Sequence, residues 1–216
     1  ALPAHAEELD VIGECSQEQN LAKPEATPQA QLQEFTSDVQ ELGPALNSQS
    51  ALIMDANSGK PIYQKNVNSV RSIASISKLM SAMVVLDAGL DKNERVTITD
   101  AEIDRLKGTS SRLSVGTTLS REELLHIGLM SSENRAIHAL ARTYPGGMPA
   151  FVSAMNRKAQ QLGMNNSRFV EPTGLSPQNV STANDLAKMV QAAAQYPQIR
   201  YYSTHNNATV YTSNGK

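Results

Sequence analysis

The sequence contains 216 residues, of which 40% are hydrophobic and 4% aromatic, and its formal net charge at pH 7 is −2. This length and apolar fraction suffice for one sizeable core or two small lobes, whereas the slightly negative charge and the absence of tryptophan argue against a nucleic-acid-binding protein. No apolar run approaches the roughly 20 residues that span a bilayer, so we expect neither a nucleic-acid partner nor a transmembrane segment.

The N-terminal part, residues 1–35, is predicted to be a flexible leader or linker. Residues 7–31 are rich in Gln, Glu and Ala and show no apolar period. The Ala-His-Ala tripeptide at residues 4–6 resembles the small-x-small cleavage region of a secretory signal. We therefore expect a secreted protein from which the signal peptide has been removed, with its folded domain in residues 36–216.

The first elements predicted after the leader are a helix, a hairpin and a longer helix. Apolar residues recur at helical spacing in residues 32–42. Residues 50–64 contain two short strand candidates separated by a run of turn-forming residues, and this pattern predicts a β-hairpin. The strongest helical pattern begins near Ala74, and Gly89 is placed as the residue that ends this helix.

Four further helices are predicted downstream. Ser120 and Glu123 have the spacing of a capping box at the start of one helix. Helical periodicity and capping residues predict the others over residues 134–143, 149–162 and 182–190. The middle of the chain is therefore predicted to be entirely helical, with strands only near its two ends.

The expected fold class is α+β, with an antiparallel sheet, flanking helices and an all-helical lobe. An isolated hairpin is marginal in water, so the hairpin at 50–64 is expected to pair with the strand pattern at residues 208–212. Asn214-Gly215 is a strong hairpin-turn signal. We therefore expect the natural chain to continue into a further strand, and the sheet to be incomplete because this chain stops before its last strands.

A Ser-x-x-Lys motif, formed by Ser75 and Lys78, opens the strongest helix. Residues three apart on a helix lie on the same face, so the hydroxyl and the amine can come within hydrogen-bond distance. Burial lowers the pKa of a lysine and allows its amine to remove the serine proton. The motif predicts Ser75 as a nucleophile and Lys78 as its base; a capping serine followed by a solvated lysine is the alternative.

A second polar motif, Ser132-Glu133-Asn134, lies at the predicted junction between two helices. In a functional interpretation, the Ser132 hydroxyl relays protons near Lys78 and the Asn134 amide binds a peptide group of the substrate. The alternative is a simple helix N-cap by Ser132. Ser-x-x-Lys followed by a Ser-x-Asn motif is the order found in serine enzymes that react with penicillin.

In these motifs and in the sequences of residues 154–164 and 169–185, the chain resembles the low-molecular-mass penicillin-binding proteins. The resemblance covers residues 45–212. It is most similar to their D-alanyl-D-alanine endopeptidase branch, of the penicillin-binding protein 7 type. The resemblance implies a β-lactamase/transpeptidase-like fold and a periplasmic serine hydrolase that cuts D-alanyl cross-links in peptidoglycan and is acylated by β-lactams. It also implies functional roles for four residues, with Ser75, Lys78 and Ser132 catalytic and Asn134 substrate-binding.

The sequence departs from this family at its third motif, because neither Lys-Thr-Gly nor Lys-Ser-Gly occurs in it. In the family this motif lies on a strand that lines the site, holds the substrate carboxylate and supplies an oxyanion amide. We therefore expect the peptidase domain to be C-terminally truncated in this chain. Loss of one oxyanion donor can reduce the rate by about 10²–10³, so the chain by itself is expected to have little or no activity.

Three alternative functions remain open from the sequence. A D-alanyl-D-alanine carboxypeptidase or a non-catalytic peptidoglycan- or penicillin-binding module would share the same motifs. A β-lactamase is less favoured, because residues 171–175 begin like the class A Glu-x-x-Leu-Asn loop but do not match it. No cofactor and no metal is expected, because the four histidines lack ligand spacing: they are His5, His126, His138 and His205.

Overall fold

The structure, a computed structural model, describes residues 7–12 and 46–214, with side chains for residues 46–210. The predicted helix at 32–42 and the glycine of the Asn214-Gly215 turn lie outside the described residues. No helix in the described part of the chain has the length and apolar character needed to cross a bilayer.

Six α-helices and eight β-strands form the described part. The helices are α1 (Ser77–Asp87), α2 (Arg121–Met130), α3 (Asn134–Arg142), α4 (Gly147–Gln161), α5 (Ala183–Ala193) and α6 (Pro197–Thr204). The strands are β1 (Glu7–Ile12), β2 (Ala51–Met54), β3 (Pro61–Lys65), β4 (Arg71–Ser72), β5 (Arg95–Thr97), β6 (Thr117–Ser120), β7 (Val180–Ser181) and β8 (Asn207–Asn214).

The predicted helices α1 to α5 are confirmed, and their ends follow the predicted capping. At the start of α2, the Ser120 hydroxyl accepts a hydrogen bond from the Glu123 amide, and the Glu123 carboxylate accepts one from the Ser120 amide. The Thr182 hydroxyl caps α5 by accepting from the Asp185 amide. Gly89 follows α1 with φ +59°, as a helix-ending glycine should. Helix α6 is not predicted by the sequence patterns.

The arrangement of the strands contradicts two predictions. Strands β5 and β6 pair with each other inside the stretch expected to be entirely helical. The hairpin β2–β3 is confirmed, but β8 pairs with β1 and β6 in the order β1-β8-β6-β5, and the hairpin forms a separate sheet. Both errors have one cause: β6 is only four residues long and Leu119 is its single apolar residue, so its sequence carries almost no periodic signal.

Six residues of the predicted flexible leader form strand β1, which pairs antiparallel with β8. Apolar Leu9 and Val11 alternate with acidic residues in this segment, which is the period of a strand. For Glu7–Ile12 the structure therefore shows regular pairing where the sequence analysis expects none. The division between leader and peptidase domain at residues 35 and 36 stays a prediction.

Helix α1 lies at the centre of the fold and contacts the other five helices. Its residues Met80, Ala82 and Met83 are completely buried. Side chains from the surrounding helices complete this core, among them Leu124, Ile137, Phe151 and Met155. Burial of each large apolar side chain contributes about 1.5–3 kcal/mol, so the position of α1, and with it the Ser-x-x-Lys motif at its start, is determined by the whole helical core.

Candidate active site

Ser75 lies in a single 3-10 turn, Ala74–Ile76, immediately before α1, and Lys78 lies in the first turn of α1. The Ser75 side chain is exposed, whereas Lys78 is only 3% exposed. The Lys78 amine lies 3.2 Å from the Ser75 hydroxyl oxygen. The three-residue spacing therefore brings the two groups together as predicted, although the motif spans the junction of two helix types rather than one regular helix.

The Lys78 amine is surrounded by three oxygen atoms. It donates to the Ser75 hydroxyl at 3.2 Å, to the Ser132 hydroxyl at 3.0 Å and to the backbone carbonyl of Thr173 at 3.2 Å. Burial lowers the pKa of Lys78 from 10.5 to about 8, against the opposing charges of Glu171 and Glu133. A neutral amine is therefore accessible close to physiological pH, and it can accept a proton from either hydroxyl.

Ser132 reaches Lys78 from the junction between α2 and α3. The α2 helix ends at Met130, Ser131 is its C-cap, and the Glu133 carboxylate caps α3 by accepting from the Arg135 amide. Ser132 itself has φ +58°, a left-handed conformation that is uncommon for residues other than glycine and that clusters at active sites. The helix-cap alternative for Ser132 is therefore wrong, because Glu133 performs that function.

The Asn134 side chain makes no hydrogen bond to the other three predicted residues. Its amide nitrogen donates to the Thr109 hydroxyl at 3.3 Å, and its buried Oδ1 atom has no hydrogen-bond partner among the described residues. Asn134 lines a cavity of about 430 Å³ together with Glu171 and Thr173. Since buried polar atoms are normally paired, an unpaired acceptor on a residue that lines a cavity is suited to bind a donor on a ligand.

The loop formed by residues 171–179, here called the 171–179 loop, is the part of the site that sequence reasoning does not identify. It supplies the Thr173 carbonyl that contacts Lys78. It also packs directly against the turn before Ser75: a Cβ atom on Gly174 would lie 1.8 Å from the Ala74 carbonyl oxygen. The sequence signals here are the Glu-Pro-Thr-Gly run, which marks a tight turn, and the partial likeness of residues 171–175 to a β-lactamase loop. Neither indicates what the turn contacts.

The three histidines in residues 46–210 are engaged with neighbouring side chains. His138 lies 3.2 Å from the buried carboxylate of Glu102, and His126 stacks on Tyr202 and lies 3.2 Å from His205. Among residues 46–210, no group of three or more His, Cys, Asp or Glu side chains has the arrangement of a metal site.

Comparison with known proteins identifies the family. A family model described as D-alanyl-D-alanine carboxypeptidase matches residues 36–216. A D-alanyl-D-alanine endopeptidase of Escherichia coli (strain K12) is 53% identical over 161 residues, which cover 74% of this chain and 52% of that protein. The D-alanyl-D-alanine endopeptidase of Pseudomonas aeruginosa is 52% identical over 165 residues, or 76% of this chain and 53% of that protein.

The fold is also shared with a solved structure. The crystal structure of the Streptomyces K15 DD-transpeptidase matches with a TM-score of 0.69 and 27% identity, covering 79% of this chain and 74% of that one. This similarity confirms the predicted α+β, transpeptidase-like fold. The chain spans about half the length of the two endopeptidases it matches. On the family match and these identities, the chain belongs to the D-alanyl-D-alanine carboxypeptidase family of serine peptidases.

Proposed function

We propose that the protein is a periplasmic serine D,D-peptidase that cleaves D-alanyl cross-links in peptidoglycan through an acyl-enzyme on Ser75. The observation that carries the proposal is the buried Lys78 amine, which lies within hydrogen-bond distance of both the Ser75 and Ser132 hydroxyls. A structural serine and lysine would not need a second hydroxyl at the same amine, nor a lysine that is almost fully buried with no carboxylate in salt-bridge contact among the described residues.

In the proposed acylation step, the neutral Lys78 amine takes the Ser75 proton while the Ser75 oxygen attacks the carbonyl carbon of the penultimate D-alanine. The resulting ammonium passes a proton through the Ser132 hydroxyl to the leaving amine as the peptide bond breaks. Water then attacks the carbonyl carbon of the ester on Ser75 while Lys78 accepts its proton. As the bond between that carbon and the Ser75 oxygen breaks, Lys78 returns the proton to the Ser75 oxygen, and the product leaves as a carboxylic acid that ionises in water.

Substrate binding is assigned to the cavity of about 430 Å³ beside this triad. The unpaired Oδ1 atom of Asn134 can accept a hydrogen bond from a backbone N–H of the substrate stem peptide. β-Lactams carry a reactive amide carbonyl and would acylate Ser75 in place of the peptide. Endopeptidase action is favoured over carboxypeptidase action, because the two relatives that are more than half identical are both named endopeptidases.

Labelling with a fluorescent penicillin tests the proposal. The wild type and a Ser75→Ala variant are incubated with the label, and the modified residue is identified by intact mass and peptide mapping. The 216-residue chain and a longer form that continues past Lys216 are both measured. We expect label on Ser75 in the longer form, and none in Ser75→Ala. Absence of label on Ser75 in both forms would overturn the acyl-enzyme and favour a non-catalytic binding module.

A comparison of substrates separates the two peptidase activities. A D-alanyl cross-linked stem-peptide dimer and a single stem ending in D-Ala-D-Ala are incubated with the longer form. Cleavage of the dimer at the higher rate is the expected result, and exclusive release of the terminal D-alanine from the single stem would instead assign a carboxypeptidase.

A further inference from the structure

The 171–179 loop contains a carboxylate that the proposed reaction does not use. One oxygen of Glu171 accepts hydrogen bonds from the Thr173 amide at 2.7 Å and from the Thr173 hydroxyl at 2.5 Å. The other oxygen accepts from the Gly174 amide at 2.6 Å and from the Asn179 side chain at 3.1 Å. Both oxygens are thus occupied by donors from its own loop, which leaves this carboxylate poorly placed to activate water.

The loop is attached to helix α1 at buried polar contacts on both sides of Lys78. The Ser81 hydroxyl, one turn beyond the lysine, donates to the Pro172 carbonyl at 2.6 Å. The Asn179 side chain donates to the Ser77 hydroxyl at 3.0 Å. Ser77, Ser81 and Asn179 are completely buried, so these contacts are shielded from water and the loop has little freedom to move relative to the helix.

The Thr173 carbonyl restricts the directions in which the lone pair of a neutral Lys78 amine can point. A neutral amine has two N–H donors and one lone pair. A carbonyl oxygen can only accept, whereas the Ser75 and Ser132 hydroxyls can donate or accept. With one N–H directed to Thr173 at 3.2 Å, the remaining N–H and the lone pair are left for the two hydroxyls. This corresponds to the third group that orients the base in other nucleophile–base pairs.

We propose that Glu171 is a positioning residue for the reaction on Ser75: its carboxylate holds the 171–179 loop so that the Thr173 carbonyl orients the Lys78 amine toward the two hydroxyls. This inference rests on the proposed acyl-enzyme function and adds a residue that lies outside the Ser-x-x-Lys and Ser-x-Asn motifs. Glu171 acts through Thr173 and Lys78.

Two carboxylates face Lys78 from the elements packed against it. Glu171 lies on the 171–179 loop and Glu133 at the α2–α3 junction, and the charges of both raise the pKa of Lys78 against the effect of burial. The Glu133 carboxylate is itself bound by the Ser111 hydroxyl at 2.7 Å. Replacing Glu171 by an uncharged residue removes one of these charges and should lower the pKa of Lys78. The acylation rate falls at low pH as Lys78 becomes protonated, with a midpoint near pH 8 expected for the wild type. This acid limb of the pH–rate profile should therefore move to lower pH in the variant.

The test measures the rate constant of penicillin acylation from pH 5 to pH 10 for the full-length protein and for Glu171→Gln. The rate constant is read from the time course, so it is independent of the fraction of folded molecules. We expect Glu171→Gln to lower the maximal rate constant by about 100-fold, as for displacement of a catalytic group by about 1 Å, and to shift the acid limb. A matched Glu122→Gln variant, in a partly exposed carboxylate on α2, should retain the wild-type profile.

Each outcome decides the proposal. A wild-type rate constant in Glu171→Gln overturns it, and so does a lowered rate constant with an unmoved acid limb, because Glu171 would then not act through Lys78. If the wild type is itself not acylated on Ser75, the proposed function fails rather than this inference.

A second pair of variants tests the same link without altering charge. Thr173→Val removes the hydroxyl that donates to Glu171, whereas Thr173→Ser keeps it. We expect a lower acylation rate constant in Thr173→Val and a rate constant near that of the wild type in Thr173→Ser. Equal rate constants in both variants would contradict the role of this contact.

Discussion

The two walls of the site differ in how completely their polar groups are paired. On the wall formed by α1 and the 171–179 loop, Lys78 has three acceptors for its amine, and Thr173 is only 2% exposed. On the opposite wall, Asn134 lines a cavity and has a buried side-chain oxygen with no hydrogen-bond partner among the described residues. The comparison indicates that the groups proposed to perform the chemistry are arranged before substrate binds, whereas the group proposed to recognise substrate is completed only by the ligand.

The origin of this difference lies in how each wall is supported. The 171–179 loop is bound to side chains in the core helix α1. Residues 103–106 line the same cavity and belong to a local turn, in which the Asp104 carboxylate accepts from the amides of Leu106, Lys107 and Thr109. Leu106 is 72% exposed. Local turns without core contacts open at lower free energy than elements packed on the core, so ligand binding should order this segment more than the other.

The largest effect is expected from Lys78→Met on the buried wall. Removal of the general base should lower the penicillin acylation rate constant by about 10³-fold, measured by stopped-flow or gel-based labelling. In the wild type, the free energy of unfolding should rise as pH increases from about 8 to 10.5, because in this window the unfolded chain holds a proton that the folded chain has lost.

Lys78→Met should lack this rise when both proteins are unfolded with urea at pH 8 and pH 10. The difference between the two proteins isolates Lys78 from other groups that titrate there. An acylation rate constant equal to that of the wild type would eliminate Lys78 as the base.

A smaller effect, about 100-fold on the acylation rate constant, is expected from Gly174→Ala. The added Cβ atom would lie 1.8 Å from the Ala74 carbonyl oxygen, so the turn that carries Ser75 or the 171–179 loop must move. Gly89→Ala is the matched control, because Gly89 also has a positive φ but no atom within 4 Å of an added Cβ. Gly89→Ala should lose about 1–2 kcal/mol of stability and keep its rate constant; equal rate constants in the two variants would contradict the close packing.

The smallest effect is expected on the open wall, from Asn134→Ala. Loss of one hydrogen bond to the substrate should raise the half-saturating substrate concentration by about 10-fold, measured from the concentration dependence of peptide cleavage. The free energy of unfolding should change little, because the substitution removes one exposed hydrogen bond, to Thr109 at 3.3 Å, while the Oδ1 atom has no partner among the described residues. Asn184→Ala, in the first turn of α5 and bonded to Asn68, serves as the control, and an unchanged half-saturating concentration in Asn134→Ala would argue against substrate contact.

The features of the fold that were predicted correctly are those encoded within one or two helical turns. The capping box of Ser120 and Glu123 and the terminating Gly89 are local, and the structure has both. Strand β6 and its pairing with β8 depend on residues almost 100 positions apart in sequence, and four residues cannot encode such a partner. The same limit explains why the hairpin β2–β3 was predicted correctly while its expected third strand was not.

For the site, the sequence by itself determined that Ser75 and Lys78 would be neighbours, because they are three positions apart in a helical segment. Only the tertiary structure decided that the Ser132 hydroxyl and the Thr173 carbonyl meet the same amine, since chain separations of 54 and 95 residues are closed by packing of the helical core. The lowered pKa of Lys78 is also a tertiary property, because it arises from burial. Every residue has a backbone carbonyl, so residue type does not distinguish the carbonyl of Thr173 from any other. No sequence motif could therefore predict its contact with Lys78.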